Sequence, residues 1–219
     1  MKDFIFIFDF DGTIADTFHL SIGISNKLAD EFHFKKISKD EEALLKDKNS
    51  QEIIHYLHIP VYKIPAILLR AREESHKDID NMHLTTGLKE ILLSLKSRGD
   101  KLGIYTSNSS ANVKKFLKKH EIDFFDFINT SSQIFGKNHG LNRLINQNKF
   151  AREKVFYVAD ETRDVDAAKK SRIKMIAVSW GYNSHTSLKK HNPDYLIDEP
   201  KELLTLECQR NMSTQCCKA

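Results

Sequence analysis

The sequence predicts an α/β fold with a Rossmann-like parallel sheet and an inserted α-helical cap domain. Five consecutive apolar residues, Phe4 to Phe8, form a strand of the kind that is buried on both faces. From about Leu84 onward, short apolar segments alternate with amphipathic ones, which is typical of parallel strands joined by helices. Residues 17–83 show helical periodicity and no strand-like run. The length of 219 residues allows a core domain with a smaller insertion.

These observations set the expected domain boundaries. Residues 1–16 and 84–206 form the Rossmann-like core, and residues 17–83 form the helical cap. The last segment, 207–219, is polar and is expected to be disordered.

Helix signals recur through the cap region. The stretch GISNKLADEF carries apolar residues at helical spacing. A later helix is expected to begin at Asn49 or Ser50, with Glu52 in its first turn. Pro65 lies near the predicted start of another helix, where proline is tolerated.

Strands and helices alternate through the second part of the core. The stretch GLKEILLSLKSRG predicts an amphipathic helix. Its last residue, Gly99, lies just past the predicted end, where a left-handed residue often ends a helix. The predicted elements after it are, in order, the strand KLGIYT, the helix NVKKFLKKHEI, the strand FDFINT, the helix GLNRLINQN, the strand KVFYVAD, the helix DVDAAKKSR and the strands KMIAVSW and DYLID, followed by PKELLTL.

Composition excludes several classes of function. The chain has 34 Lys and Arg against 30 Asp and Glu, a net charge of +4, without the dense basic stripe that nucleic acids require. No apolar run is long enough to span a bilayer. The three cysteines, Cys208, Cys216 and Cys217, all lie near the end of the chain, which suits a reducing compartment. We expect a cytoplasmic protein that binds a small anionic molecule; the sequence carries no signal for its oligomeric state.

Polar residues follow several of the predicted strands. In open α/β sheets the ligand site lies beyond the carboxyl ends of the strands, so these residues are expected to converge. They are Asp9 and Asp11 after the first strand, Thr106, Ser107 and Asn108 after KLGIYT, Lys137 after FDFINT, and Asp160, Glu161 and Asp164 after KVFYVA.

The spacing of the first two acids indicates their chemistry. Residues two apart on a strand share a face, so Asp9 and Asp11 both face the site while Phe10 faces the core. Gly12 allows the backbone to turn directly afterwards. Two adjacent buried carboxylates require a partner, and Mg²⁺ prefers hard oxygen ligands. Asp9, a carbonyl of this turn and Asp160 could provide such ligands.

Phosphoryl transfer fits these residue types. With Lys137 and a metal neutralising charge, Asp9 could attack a phosphorus atom as a nucleophile. Asp11 could protonate the leaving oxygen and then activate water. Thr106 and the amides after it could hold phosphoryl oxygens; the alternative is that Thr106 is a helix N-cap.

The motifs DFDGT (9–13), IYTSN around Thr106, Lys137 before a helix and VADETRD (158–164) resemble those of the haloacid dehalogenase (HAD) superfamily. The endings KMIAVSWGY and PDYLIDEPKELL resemble its phosphoglycolate-phosphatase-like members, so the resemblance spans nearly the whole chain. It implies an aspartate nucleophile, a second aspartate as general acid and base, Mg²⁺ as cofactor and a C1-type cap. An acid at position 11 is typical of phosphatases and phosphomutases, whereas dehalogenases are expected to lack it.

On this basis each candidate residue receives a role. Asp9, Asp11 and Lys137 are the predicted catalytic residues. The predicted metal ligands are Asp9, Asp11, Asp160 and Asp164. The predicted phosphate-binding residues are Gly12, Thr106, Ser107, Asn108 and Lys137.

The predicted substrate is a small phosphomonoester, phosphoglycolate-like or a sugar phosphate. In the cap, LKDKNSQEI resembles a segment that offers a basic residue to the substrate, and Lys46 and Lys48 are candidates unless they are ordinary exposed lysines. The alternatives are a phosphomutase or phosphonatase on the same scaffold, or a binding or regulatory protein with weak activity. Ala159, where the family usually has Gly, keeps the last of these open.

Overall fold

A computed structural model describes residues 4–130 and 136–205. Its main sheet has six parallel strands in the spatial order β5-β4-β1-β6-β7-β8. The strands of this sheet are β1 (Ile5–Phe8), β4 (Lys101–Thr106), β5 (Phe127–Thr130), β6 (Val155–Ala159), β7 (Lys174–Val178) and β8 (Tyr195–Ile197). The predicted fold class is confirmed.

The register of the central strands positions the site. Phe8 at the end of β1 pairs with Ile104 of β4 on one side and with Val158 of β6 on the other. The residues that follow these pairs, including Asp9, Thr106 and Asp160, therefore emerge at the same edge of the sheet. This edge holds the carboxyl ends of all three strands.

Helices cover both faces of the sheet. They are α5 (Leu88–Ser97), α6 (Ser110–Lys119), α7 (Lys137–Gln147), α8 (Thr162–Ser171) and α9 (His185–Lys190). Phe6, Phe8 and Phe10 pack with apolar residues of α5 and α6. Ile5 and Ile7 pack on the other face with residues of α7, α8 and α9. Alternate residues of β1 are thus buried on opposite faces, as its apolar sequence predicts.

The inserted segment is helical. Its helices are α1 (Phe18–Phe32), α2 (Glu42–Lys46), α3 (Ser50–Tyr56) and α4 (Ile64–Lys77). The Asn49 side chain accepts hydrogen bonds from the amides of Gln51 and Glu52, which confirms it as the N-cap of α3. Pro65 lies in the first turn of α4, as predicted. The limits 17 and 83 of a separate cap domain stay a prediction.

The chain enters and leaves the inserted segment through two short strands that lie side by side. The short strands β2 (Ala15–Asp16) and β3 (His83–Leu84) pair antiparallel, with Ala15 opposite Leu84. Neither strand was predicted, because two residues carry no readable periodicity.

Several other details differ from or lie beyond the predictions. The six-residue helix α9 was missed, although Ser184 caps it through its side chain. PKELL forms a 3₁₀ helix, Pro200–Leu204. The predicted disordered tail and the three cysteines lie outside the described residues. In the part of the chain that is described, no helix combines the length and apolarity required to cross a membrane.

Candidate active site

Asp9 and Asp11 lie immediately beyond the end of β1. Asp9 is buried, and its Oδ1 accepts a hydrogen bond of 2.8 Å from the Phe10 amide. The Phe10 ring is fully buried and packs edge-on against Phe116, with 5.0 Å between ring centroids. Phe10 therefore faces the core, as predicted, and anchors the turn that carries the two acids.

Lys137 connects two of the carboxylates. It is the first residue of α7 and is only 6% exposed. Its Nζ lies 2.6 Å from Asp9 Oδ2 and 2.7 Å from Asp164 Oδ1. Burial alone would lower the pKa of Lys137, but the two carboxylates outweigh it and raise the pKa above its usual range. Lys137 therefore places a permanent positive charge beside Asp9.

Three acids form a compact cluster around this lysine. Asp9, Glu161 and Asp164 have carboxylate oxygens within 4.8 Å of one another. Burial raises the pKa of Asp164 to about 6, and its Oδ2 has no hydrogen-bond partner among the residues that the structure describes. Burial opposes ionisation of Glu161, but Arg163 and Lys137 outweigh it and lower the pKa of Glu161. A cluster of oxygen ligands in which Asp9 and Asp164 are buried, Glu161 is half-buried and one oxygen is unpaired fits a hard divalent cation.

Asp160 is held differently from the other acids. It is fully buried, and its Oδ1 accepts a 2.7 Å hydrogen bond from Thr13 Oγ1. Its Oδ2 accepts a 2.7 Å hydrogen bond from the Tyr182 amide. Burial and the nearby Glu161 raise its pKa well above the ordinary value. Both oxygens of Asp160 thus have protein donors, and its role as a metal ligand stays a prediction.

Asp11 is held by the side chain of Asn108, in the loop after β4. Asn108 Nδ2 lies 3.2 and 3.4 Å from the two carboxylate oxygens of Asp11. Burial and the adjacent Asp9 carboxylate raise the pKa of Asp11 to about 7. A carboxyl group with this pKa exchanges its proton near neutral pH, as a general acid and base must.

The predicted phosphate-binding residues lie at the same edge. Thr106 is buried at the end of β4, and its Oγ1 accepts a 3.0 Å hydrogen bond from the Asn108 amide. Ser109, and not Thr106, caps α6, so the alternative N-cap interpretation of Thr106 is wrong. Ser107 is partly exposed between them.

Gly12 makes the turn after Asp11 possible. Its φ is +76°, and a Cβ atom there would lie 2.2 Å from Asp160 Oδ2. Phosphate binding by Gly12 and by residues 106–108 stays a prediction, because no contact in the structure tests it.

The two cap lysines have different surroundings. Lys46 Nζ donates to the Gly181 carbonyl at 2.8 Å and lies 4.3 Å from the centre of the Phe18 ring. Lys48 Nζ lies 5.4 Å from the centre of the Tyr56 ring. Lys46 therefore joins the inserted segment to the loop after β7. Substrate binding by either lysine stays a prediction.

A cavity of about 330 Å³ lies beside Lys137, between the inserted segment and the core. It is lined by Asn49, Ser50 and Gln51 from the inserted segment and by Lys137, Arg163, Lys170 and one acid, Asp166, from the core. Lys137 and Arg163 are both ion-paired with acids of the site.

Several residues that the structure brings to the site had no predicted role there. Glu161 precedes α8 and joins the acidic cluster, although it was not a predicted metal ligand. Tyr157 donates a 3.3 Å hydrogen bond to Asp164. Thr13 and Tyr182 hold Asp160. Three of them carried a sequence signal: Glu161 lies between two predicted acids, Thr13 ends the DFDGT motif, and Tyr182 follows the strand KMIAVSW.

The chain is similar to several known proteins over most of its length. A family model described as haloacid dehalogenase-like hydrolase matches residues 6–178. The phosphoglycolate phosphatase of Synechococcus elongatus is 32% identical over 199 residues, which are 90% of this chain and 94% of that protein. The pyrophosphatase PpaX of Bacillus mycoides is 24% identical and covers 94% of this chain and 97% of its own length. A Clostridium acetobutylicum crystal structure described as a predicted phosphatase has a TM-score of 0.80 at 20% identity, covering 95% of this chain and all of its own.

Proposed function

Because the chain belongs to the haloacid dehalogenase-like hydrolase family, we propose that it is a Mg²⁺-dependent phosphatase that hydrolyses a small phosphomonoester through an aspartyl phosphate. One observation carries this proposal: the two acids at the end of β1 have different partners and therefore different tendencies to ionise. Asp9 is paired with the Lys137 ammonium group, whereas Asp11 is bonded to a neutral amide and has its pKa raised to about 7. The same element thus presents a nucleophile and a proton carrier.

The first step transfers the phosphoryl group to Asp9. A carboxylate oxygen of Asp9 attacks phosphorus, and the bond between phosphorus and the ester oxygen breaks. Protonated Asp11 gives its proton to the departing oxygen, which leaves as an alcohol. Lys137 reduces the repulsion between the carboxylate and the phosphate, because its charge lies 2.6 Å from Asp9.

The second step releases phosphate. Asp11, now ionised, takes a proton from a water molecule as the water oxygen attacks phosphorus. The bond between phosphorus and the Asp9 oxygen breaks, and the Asp9 carboxylate is restored. Asp11 ends the cycle protonated, so proton transfer balances over the two steps.

The acids around Lys137 would hold the metal. Asp9, Glu161 and Asp164 provide the oxygen cluster, and the unpaired Oδ2 of Asp164 provides a free ligand atom. When bound, Mg²⁺ supplies Lewis-acid stabilisation of charge on the phosphate.

We predict that Mg²⁺ stabilises the folded protein, and that this stabilisation is larger at high pH than at low pH. Burial raises the pKa of Asp164 from 3.8 to about 6, so the folded metal-free protein holds this proton more tightly than the unfolded chain. That stabilisation is complete below pH 3.8 and is lost as the pH rises through 6. Mg²⁺ competes with the proton, so it should raise the melting temperature more at pH 8 than at pH 5. At a Mg²⁺ concentration one hundred times its Kd, the free energy of unfolding should rise by about 2.7 kcal/mol and the melting temperature by roughly 5–10 °C.

The measurement is a thermal melt with EDTA or with Mg²⁺ at both pH values. Asp164→Asn should lose at least about half of the shift at pH 8, since it removes one ligand charge. Asp166→Asn, an exposed acid on the same helix, serves as the matched control. An equal shift in all three proteins would contradict this metal site.

A substrate panel tests the activity itself. Purified protein is assayed for phosphate release from phosphoglycolate, sugar phosphates and pyrophosphate, with and without Mg²⁺. Mg²⁺-dependent release from a monoester supports the proposal. A requirement for a sugar bisphosphate would instead indicate a phosphomutase, and no turnover would indicate a binding or regulatory protein.

A further inference from the structure

Three polar side chains form a continuous row from the inserted segment to Asp11. Asn108 Nδ2 lies 3.2 Å from Asp11 Oδ2. Asn108 Oδ1 accepts hydrogen bonds from the Ser109 amide at 2.8 Å and from Asn112 Nδ2 at 3.1 Å. Asn112 Oδ1 in turn contacts Nδ1 of His76 in the last turn of α4. The row thus joins the inserted segment to the predicted acid and base of the core.

Every donor in this row points toward Asp11. The Oδ1 atom of Asn108 already accepts two N–H groups, so its amino group must face the Asp11 carboxyl group. Asn112 uses its amino group on Asn108, so its carbonyl oxygen faces His76. Nδ1 of His76 must therefore carry a hydrogen atom. This order fixes the orientation of both amides.

Capping of α6 does not require the Asn112 side chain. Asn112 is 4% exposed and is followed on α6 by the buried Val113. The cap bond joins its backbone amide to Ser109 Oγ at 3.1 Å, and any residue except proline provides that amide. A buried carboxamide is costly unless its polar atoms are bonded, and both of its partners belong to the row. The Asn112 side chain is therefore explained by its hydrogen bonds to Asn108 and His76, and not by capping of α6.

We propose that Asn112 and His76 are positioning residues for proton transfer by Asp11, acting through Asn108. The inference rests on the proposed phosphatase function. Without the Asn112 donor, only the Ser109 amide still holds Asn108 Oδ1, so the Asn108 amide is fixed less firmly and its contact with the Asp11 carboxyl group weakens. Protonation of the leaving oxygen then becomes less efficient, whereas attack by Asp9 is unaffected.

Two leaving groups separate this role from a structural one. An alkyl phosphate needs a proton for its departing oxygen, whereas p-nitrophenolate departs as a stable anion. In Asn112→Leu, kcat/KM should fall about tenfold or more for the alkyl ester and less than about threefold for p-nitrophenyl phosphate, since general acid catalysis contributes up to 10²–10⁴-fold. His76→Ala should also lose more activity on the alkyl ester than on p-nitrophenyl phosphate, although both losses should be smaller than in Asn112→Leu. His76→Gln keeps a hydrogen-bond donor and should therefore retain activity on both esters.

The controls are Val113→Ala and His55→Gln. Val113 is the buried neighbour of Asn112, so its truncation lowers stability without touching the row. His55 is an exposed histidine of α3. Equal losses on both substrates in Asn112→Leu, or no loss, would overturn the proposal.

A crystal structure of Asn112→Leu tests the positioning without any substrate. The proposal expects the Asn108 amide to be displaced from Asp11, with a longer or poorly ordered contact, and an unchanged contact would contradict it. If the wild-type protein hydrolyses neither ester, the proposed function fails, and this structure alone decides whether Asn112 positions Asn108.

Discussion

Asp9→Asn is expected to abolish hydrolysis of p-nitrophenyl phosphate, lowering kcat by about 10⁴-fold or more, while the protein still folds. The amide that replaces the carboxylate has no charged oxygen to attack phosphorus. Lys137 keeps its ion pair with Asp164, at 2.7 Å, so the buried ammonium group is not left alone. Steady-state kinetics and circular dichroism measure the two parts of this result.

Asp16→Asn is the matched control, because Asp16 is an exposed acid in β2, just beyond the site. It should retain wild-type activity. If Asp9→Asn kept more than about a tenth of wild-type kcat, nucleophilic attack by Asp9 would be excluded.

Lys137→Met should lower both activity and stability. Removing the ammonium group leaves Asp9 and Asp164 buried without their shared partner. Breaking a buried pair in this way costs about 3–5 kcal/mol. Loss of a charge that stabilises phosphoryl transfer should also reduce kcat by about 10²–10³-fold. Denaturant unfolding and steady-state kinetics in the same buffer provide both values.

A double variant separates the two effects. Lys137→Met with Asp164→Asn removes one positive and one negative charge, so it should recover part of the lost stability and none of the activity. Lys114→Met, at an exposed position of α6, controls for the loss of a lysine. A single Lys137→Met variant as stable as the wild type would show that the ion pairs with Asp9 and Asp164 do not stabilise the fold.

The sheet and the strand-end acids could be predicted because their signals are local. Continuous apolar runs indicate buried parallel strands, and the residues after such strands must meet at one edge. That reasoning located Asp9, Asp11, Lys137 and Asp164, which the structure brings together around the end of β1.

The remaining features depend on tertiary geometry. The cluster of Glu161 with Asp9 and Asp164 depends on how the loop after β6 enters α8, which spacing does not fix. The bonds from Thr13 and Tyr182 to Asp160 join residues far apart in sequence. Ala159, where the family usually has Gly, is fully buried and belongs to the apolar cluster that includes Tyr157 and Ile7.

Direct detection of the covalent intermediate tests the central claim. With p-nitrophenyl phosphate, whose leaving group needs no proton, Asp11→Asn should slow mainly the second step, so an acid quench during turnover should trap the phosphorylated enzyme. Borohydride reduction of an aspartyl phosphate yields homoserine, and peptide mass spectrometry then locates it. We predict homoserine at position 9, dependent on substrate and Mg²⁺. Turnover of substrate without homoserine at position 9, or with the phosphoryl group on another residue, would contradict the proposed mechanism.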